Sequence, residues 1–388
     1  MTFLDFIICV SGLSCFIWIY LLVFHHRFWL SNQVLKPGSQ LRDGEWPDVV
    51  VIIPARNEAE TIELVAKSHL ENEYQGKLDL IVVDDQSSDG TGNLVRALGS
   101  NRAHVIEGKD LPSGWSGKLW AVNNGLEAAQ EIAPNAAYVL LTDADIEHAP
   151  RTLSRLVAKA AQEEKVMVSI MAMLDARGFW GGLLMPAFIF FFQKLYPFPA
   201  INNPASAIGG AAGGCMLIER KTLDEIGGVE TIKGDLIDDC ALGKALKDPN
   251  GAKRSIWLGF DDGIVSLRDN RELHTIWKMV ARTAFTQLKF SNLLLVGSVL
   301  GMALTYLAAL MVIISLPLHG SNLAFFLGLL AYFGMVLAYV PTLRRYKKSW
   351  LWALILPLSA IVYMMMTISS ALNHWRGRGG AWKGRTYS

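Results

Sequence analysis

Residues 139–148 read VLLTDADIEH. Residues 139–142 have the apolar, β-branched character of a buried strand. Asp143 and Asp145 then follow, one residue apart. A strand that leaves the core on two acids needs a reason, because neighbouring carboxylates repel and one of them tends to stay protonated. In extended chain, residues i and i+2 point the same way, so the pair is expected to converge. A divalent cation between carboxylates and a phosphate removes the penalty. TDAD is therefore a candidate Mg2+ or Mn2+ diphosphate site. A solvated loop with incidental acids is the other reading of the stretch taken alone.

Outward from this strand the pattern repeats. Residues 49–53 are a short β-branched run ending in Pro54, and residues 57–69 then read as a helix. Residues 78–83 form a second buried run ending in Asp84 and Asp85, followed by a helix under an acidic N-cap at Asp89. Residues 104–106 are a third short strand, 118–132 a helix and 137–142 the fourth strand. Strands alternating with helices predict an α/β domain with βαβ units and a mostly parallel sheet. In such sheets ligands bind beyond the carboxyl ends of the strands. PARNE (54–58), DDQSSDG (84–90) and TDAD (142–145) stand at three such ends.

Hydrophobic residues make up 52% of the 388, and the mean hydropathy is +0.29. The excess sits in a few blocks. Residues 4–24 form a run about as long as a bilayer crossing requires. No Lys or Arg precedes it, and His25, His26 and Arg27 follow at once. It reads as an uncleaved anchor, residues 1–27, with its amino terminus outside and the following domain cytoplasmic. Blocks 293–317, 323–340 and 351–372 make a carboxy-terminal membrane region, residues 291–373, of about three spans. The link 319–322 carries no Lys or Arg, whereas 342–349 holds Arg344, Arg345, Lys347 and Lys348 and should face inward.

Strict alternation then sends the tail, residues 374–388, outward, although it carries Arg376, Arg378, Lys383 and Arg385. Either the charge rule fails for this tail or one block does not fully cross. Pro357 marks the last block as a candidate for a broken or re-entrant segment. The tail is basic, aromatic and glycine-rich, fit for anionic headgroups, for folding back over a site, or for disorder. Residues 178–192, GFWGGLLMPAFIFFF, are apolar but short for a span and interrupted by Gly and Pro. An interfacial helix is the preferred reading and a buried core helix the alternative. The whole describes a multi-pass protein of a bacterial inner membrane.

Net charge is only +1, from 36 basic and 35 acidic residues, which excludes a globally basic nucleic-acid binder. Cys9, Cys15, Cys215 and Cys240 form no CxxC pair, which argues against a zinc site or a disulfide framework.

Taken in order, PARNE, VVDDQSSDGT (82–91), GKLWAVNNG (117–125), TDAD and a later acidic pair resemble a family 2 glycosyltransferase of GT-A fold. The resemblance covers roughly residues 48–290, within a Rossmann-like domain placed at 46–290. LPSGWSGKLWA (111–121), with an anchor before the domain and spans behind it, further resembles the hopene-associated glycosyltransferases, the HpnB group. The resemblance implies a nucleotide-sugar donor, a UDP-sugar before others, a Mg2+ or Mn2+ ion and a lipid acceptor.

It also implies roles for residues. Pro54, Ala55 and Glu58 hold the nucleotide, with Glu58 near the ribose or base. Asp84 and Asp85 match the motif that accepts from the base, although capping the next turn would explain them equally. Lys118 lies near the diphosphate, where its charge offsets the leaving group; otherwise it is a solvated helix-start lysine. Asp145 is the direct metal ligand, and Asp143 belongs to the same motif with a contact to sugar or ribose. In GDLIDDCALG (234–243), Asp238 and Asp239 resemble the family's acidic pair, with Asp239 as general base. Read alone, that pair is a helix start favoured by the macrodipole. Its first position is Asp where the family often has Glu.

Gly213 and Gly214, in AIGGAAGGCMLIERK (207–221), resemble an acceptor-side stretch whose glycines let backbone approach a ligand. The Gln-x-x-Arg-Trp motif of processive polysaccharide synthases is not found, which argues against polymer synthesis. Near its place, WKMVARTAF (277–285) sets Lys278 and Arg282 four apart on one helix face. They either meet the diphosphate or lipid phosphates, or form an interfacial basic stripe.

The expected function is metal-dependent, inverting transfer of one sugar, a hexosyl group, to a lipid. By resemblance the pathway is hopanoid or related isoprenoid biosynthesis, with polyprenyl phosphate, ceramide or diacylglycerol as alternative acceptors. Aspartyl phosphatases also place DxD after a strand, but after the first one and followed by Thr. Here Ile146 and Glu147 follow a later strand. A non-catalytic scaffold with a degenerate domain is opposed by Lys118, Asp143, Asp145 and Asp239 occurring together.

Overall fold

The computed structural model describes residues 2–36, 38, 41–247 and 254–377, with the backbone of 381–382 and 385–386. Arg378 and Lys383 of the basic tail lie outside the described residues. The chain divides into two compact units, one of residues 33–175, 200–268 and 380–388, the other of residues 1–32, 176–199 and 269–379.

The first unit is built on β1 (Val49–Ala55), β2 (Leu78–Asp84), β3 (Ala103–Glu107), β4 (Tyr138–Thr142), β5 (Ile146–His148), β6 (Met167–Met173), β7 (Cys215–Glu219) and β8 (Ile256–Ser266). They form one sheet in the order β3-β2-β1-β4-β7-β6-β8-β5. β3, β2, β1 and β4 are parallel neighbours, and β6 is parallel to β8. β7 runs against β4 and β6, and β5 against β8. The sheet is therefore mixed but mostly parallel, as the alternation of strands and helices predicts. β1 is buried along its whole length. That explains its unbroken Val/Ile run, since a central parallel strand has no solvent face.

Pairing decides what meets at the strand ends. Parallel register sets Ala55 beside Asp84 and Ile52 beside Leu141, so PARNE, DDQSSDG and TDAD emerge along one edge. Antiparallel β7 puts Cys215 opposite Thr142, which brings Gly213 and Gly214 to the same edge. Antiparallel β5 puts Ile146 opposite Ser266, which brings the chain leaving β8 to Asp145.

Two helix starts differ from the sequence reading. The helix expected over 57–69 begins later, as Ile62–Leu70. Asn57 takes φ 53°, the Glu58 amide donates to Thr91 Oγ1 at 2.9 Å, and the Ala59 amide to Asp89 Oδ2 at 3.0 Å. These amides are satisfied across the loop rather than by helix formation. Asp89 is accordingly not the cap of the next helix, Thr91–Arg96. Gly90, at φ 85°, holds that position, and Asp89 Oδ1 accepts from the Thr91 amide at 3.1 Å.

The helix Gly117–Ile132 lies close against β1. A Cβ on Gly125 would sit inside the van der Waals envelope of Ile52 Cγ2 and 3.1 Å from Val83 Cγ2. Both neighbours are fully buried, β-branched and stiff at χ1. Helix propensity alone predicts that Gly125→Ala stabilises by about 1 kcal/mol. Overpacking, at about 1–3 kcal/mol, should win. We expect a lower Tm, and a raised one would show that β1 gives way.

The second unit is helical. Among the described residues, five stretches are long and apolar enough to cross a membrane: Phe3–Val23, Gly178–Ile201, Asn292–Ile314, Asn322–Arg345 and Trp350–Trp375. The expected anchor and all three carboxy-terminal blocks are thus helical, and residues 178–192 lie within the helix Gly178–Leu195. The last block is interrupted. A 3-10 segment, Trp350–Ile355, gives way to the helix Leu356–Trp375 with Pro357 in its first turn, where proline's missing donor does no harm. Lys278 and Arg282 lie on the helix Leu273–Gln287 of this unit.

Candidate active site

Ser116 caps the helix Gly117–Ile132, its Oγ accepting from the Leu119 amide at 3.3 Å. The cap puts Lys118 in the first turn, where a cation opposes the helix dipole and needs anions nearby. It has them. Lys118 Nζ lies 2.9 Å from Asp143 Oδ1 and 3.2 Å from Asp238 Oδ2. Burial presses the lysine's pKa down, but Asp143, Asp238 and Asp239 outweigh it and hold the pKa above its ordinary value. The ammonium stays charged.

Asp238 opens the helix Asp238–Lys247. Asp239 Oδ2 accepts from the Gly213 amide at 2.9 Å, and Oδ1 from the Cys240 amide at 2.7 Å. Burial, then repulsion from Asp238, pushes its pKa up to about 6 against the pull of Lys118 and the two amides. A carboxyl poised near neutrality is suited to accept a proton. A Cβ on Gly213 would stand 3.4 Å from both Asp239 Oδ2 and Lys118 Nζ, so glycine lets the backbone close on this pair.

TDAD is not extended, which corrects the expectation that its acids converge as on a strand. The chain turns after β4, with the Ile146 amide donating to the Asp143 carbonyl at 3.2 Å. The two carboxylates consequently take different partners. Asp143 turns to Lys118. Asp145, only 8% exposed, accepts from Ser266 Oγ at 2.9 Å and faces Arg268 Nε at 3.5 Å. Among the described residues no three His, Cys, Asp or Glu form a ready-made metal cluster. The two acids nonetheless fit part of a Mg2+ or Mn2+ shell. They are hard oxygen donors, one of them buried and oriented by a hydroxyl, to be completed by phosphate oxygens and water.

Behind the turn, Thr142 Oγ1 donates to the Gly214 carbonyl at 2.7 Å and contacts His148 Nε2 at 3.1 Å. The His148 and His69 rings lie 4.5 Å apart. Burial depresses both, His69 to about 4, so a neutral pair backs the acidic turn.

Pro54 lines a cleft together with Lys118, Thr142, Asp143, Gly213 and Asp238. The Ala55 carbonyl accepts from the Asp85 amide at 2.8 Å. Both oxygens of Asp84 are engaged locally, by the Ser87 amide at 3.0 Å and the Gly92 amide at 3.2 Å. Asp85 is fully buried, with Oδ2 3.5 Å from Arg56 Nη1. Glu58 Oε1 lies 3.7 Å from Arg268 Nη2. Arg268 therefore stands between the first strand end and Asp145.

The structure thus gathers Pro54, Lys118, Asp143, Gly213, Asp238 and Asp239, and sets Glu58 and Asp145 around Arg268. Lys278 and Arg282 belong to the helical unit. Arg56, Ser266 and Arg268 were missed. Arg56 sits inside PARNE, so the motif held its signal. Ser266 and Arg268 end an ordinary strand and carry no local sign.

Residues 50–227 match the family model described as Glycosyl transferase family 2. Over 144 residues the chain is 28% identical to the probable glycosyltransferase YdaM of Bacillus subtilis (strain 168), covering 37% of this chain and 33% of that protein. The chain therefore spans a third of the length of that curated relative. Among solved structures, the mannosyltransferase PcManGT from Pyrobaculum calidifontis, in complex with GDP-Man and Mn2+, matches with a TM-score of 0.57 and 20% identity, over 94% of this chain and 99% of that one. Glucosyl-3-phosphoglycerate synthase from Mycobacterium tuberculosis, in complex with phosphoglyceric acid, matches with a TM-score of 0.42 and 20% identity, over 66% of this chain and 86% of that one. Over residues 50–227 the chain is thus similar to family 2 glycosyltransferases, and its sheet is a mixed α/β sheet of GT-A type.

Proposed function

We propose that this chain is a membrane-anchored, inverting glycosyltransferase that moves one sugar from a nucleotide-sugar donor to a hydroxyl of a membrane lipid. The observation that carries the reading is the position of Lys118, which ties Asp143 of the TDAD turn to Asp238 beside Asp239. One ammonium thus joins a leaving-group side to an attacking side.

The acceptor oxygen attacks the anomeric carbon, and its proton passes to an Asp239 carboxylate oxygen. The bond from that carbon to the diphosphate oxygen breaks on the opposite face. Lys118 stabilises the negative charge that builds there. Glu58 and Asp85, at the ends of β1 and β2, supply acceptor oxygens for ribose and base. Asp145 with Asp143 would hold Mg2+ or Mn2+, which when bound would supply positive charge beside the departing diphosphate. Lys278 and Arg282, on the helical unit, are assigned to contacts with lipid phosphates.

A UDP-sugar is the first donor to test, with GDP-mannose beside it, since the similar mannosyltransferase was solved with GDP-Man and Mn2+. The apolar helices of the second unit support a lipid acceptor. The resemblance of residues 111–121 supports a hopanoid or related isoprenoid, and polyprenyl phosphate, ceramide and diacylglycerol are the comparisons. The domain is assigned to the cytoplasmic face of a bacterial inner membrane.

The test uses the full chain in nanodiscs with a lipid extract and labelled nucleotide sugars. Label should reach a lipid, disappear with EDTA and return with Mn2+. Asp145→Ala should weaken donor binding about tenfold or more with Mn2+ present and little without it. Turnover unchanged by EDTA removes the metal role. Label on no lipid, with every donor tried, removes the lipid acceptor.

A further inference from the structure

We propose that residues 350–375 enter and leave the bilayer on one side, as a re-entrant hairpin embedded in a single leaflet, and do not cross it. The helices Asn292–Ile314 and Asn322–Arg345 are consecutive, and Gly328 packs against Ala309, Val312 and Ile313 just before and after the link between them. They are antiparallel, so their far ends, Asn292 and Arg345, lie on the same side of the membrane, whichever side that is.

Residues 350–375 begin at one of these ends and finish at the other. Trp350 follows Arg345 by five residues. At the finish, His374 stacks on Phe290 with ring centroids 4.4 Å apart and planes 20° from parallel. The Phe285 amide donates to Ser370 Oγ at 3.0 Å, and its ring meets His374 and Trp375. Phe290 stands two residues before Asn292. A crossing helix would finish instead beside Ile314 and Ser321, roughly 33 Å away along Asn292–Ile314.

The hairpin also has a depth and a hinge. Tyr332 OH donates to the Leu354 carbonyl at 2.6 Å. Tyr332 lies roughly 20 Å of helix before Arg345, so the hairpin reaches towards mid-bilayer. There the backbone changes from 3-10 to α at Ile355, ahead of Pro357. Broken backbone at such depth needs protein partners for its carbonyls, and Tyr332 is one. Leu351, Leu358, Ile361, Met365 and Ile368 are exposed, a surface that fits the acyl chains of one leaflet.

The helix Gly178–Leu195 shares this layer. Near its start, Gly182 faces Lys348 Nζ and Trp352. Near its end, Gln193 Nε2 donates to Thr342 Oγ1 at 3.4 Å, and Phe190 meets the Tyr339 ring at 5.2 Å. These contacts lie towards the Arg345 end of Asn322–Arg345, while Lys194 Nζ donates to Tyr306 OH at 2.9 Å, roughly 21 Å of helix beyond Asn292. Ser359 Oγ and Tyr363 OH donate to the Leu183 and Leu184 carbonyls, tying Gly178–Leu195 to the hairpin.

With this arrangement Arg376 shares a side with Arg344 and Lys348. The conflict between alternation and positive charge disappears.

The test is single-cysteine labelling of the full chain with a membrane-impermeant maleimide, after replacing the four native cysteines. Arg376→Cys should label from the same side as Lys347→Cys and from the side opposite Ser321→Cys. Labelling of Arg376→Cys together with Ser321→Cys overturns the hairpin. Should the cysteine-free chain misfold, carboxy-terminal fusions of the unaltered chain to green fluorescent protein and to alkaline phosphatase decide the same point. With the basic link 342–349 on the cytoplasmic side, fluorescence without phosphatase activity is expected, and the reverse overturns it. Neither result bears on sugar transfer.

Discussion

Asp239→Asn is expected to lower sugar transfer by about 10²–10⁴-fold, the usual share of a positioned general base, while nucleotide affinity stays within about twofold. The substitution keeps the side chain's shape and one acceptor oxygen, so one of the Gly213 and Cys240 amides loses its partner. It removes the proton-accepting charge. On the proposed assignment Asp239 belongs to the attacking side, so the donor should not register its loss. The parent enzyme's pH profile gives the same residue a second test. Burial and Asp238 raise its pKa to about 6, so the free base is present above that pH and transfer should fall as pH drops through it. The sign for stability runs the other way. A raised carboxyl pKa means the folded chain holds more protons than the unfolded one between the ordinary carboxylate range and about 6. This residue's contribution to stability therefore falls as pH rises across that window. Turnover above a tenth of the parent's would remove Asp239 as base, and an acid limb far from 6 would place the proton elsewhere.

The parts of this site that could be read in the sequence are those where local pattern and position agree. Residues 49–53, 80–83 and 139–141 are apolar because central strands are buried on both faces, and each run stops where polar residues begin or, in the first, at Pro54 and Ala55. Lys118 was visible because it falls in the GKLWAVNNG block, where the resemblance places a lysine near the diphosphate. What escaped was decided by pairing across the sheet. Ser266 and Arg268 reach Asp145 only because β5 lies antiparallel to β8, a contact between residues 121 positions apart. Nothing in the letters SLRD announces it. The helix start near residue 57 was misplaced for a similar reason. Thr91 and Asp89 supply the Glu58 and Ala59 amides with acceptors across a loop, so the helix has no need to begin there. The convergence of Asp143 and Asp145 assumed an extended strand, and the turn closed by the Ile146 amide sends them to different partners. In the helical unit composition identified the apolar blocks, but whether a block crosses a membrane depends on what its two ends touch.

Lys118→Met should have the broadest effect of any single substitution in the cleft. Methionine keeps the apolar stem and removes the ammonium, leaving Asp143 and Asp238 without their shared partner at 2.9 and 3.2 Å. The lysine side chain is 22% exposed, so water reaches the orphaned acids. The loss of stability should therefore fall short of the roughly 3–5 kcal/mol seen when a fully buried pair is broken. Transfer efficiency with the donor should drop about 10²-fold, as when one charge-stabilising group is lost. The decisive readout is the pH profile of the residual activity. Lys118 pulls the Asp239 pKa down against burial and Asp238, so its removal should move the acid limb to higher pH. A merely structural lysine would lower Tm and leave that limb in place. Lys118→Arg should restore the position of the limb but only part of the efficiency, because a planar guanidinium does not present its donors as the compact ammonium does. A limb unmoved in Lys118→Met would show that Asp239 titrates without reference to Lys118. The two sides of the reaction would then not be joined through this residue.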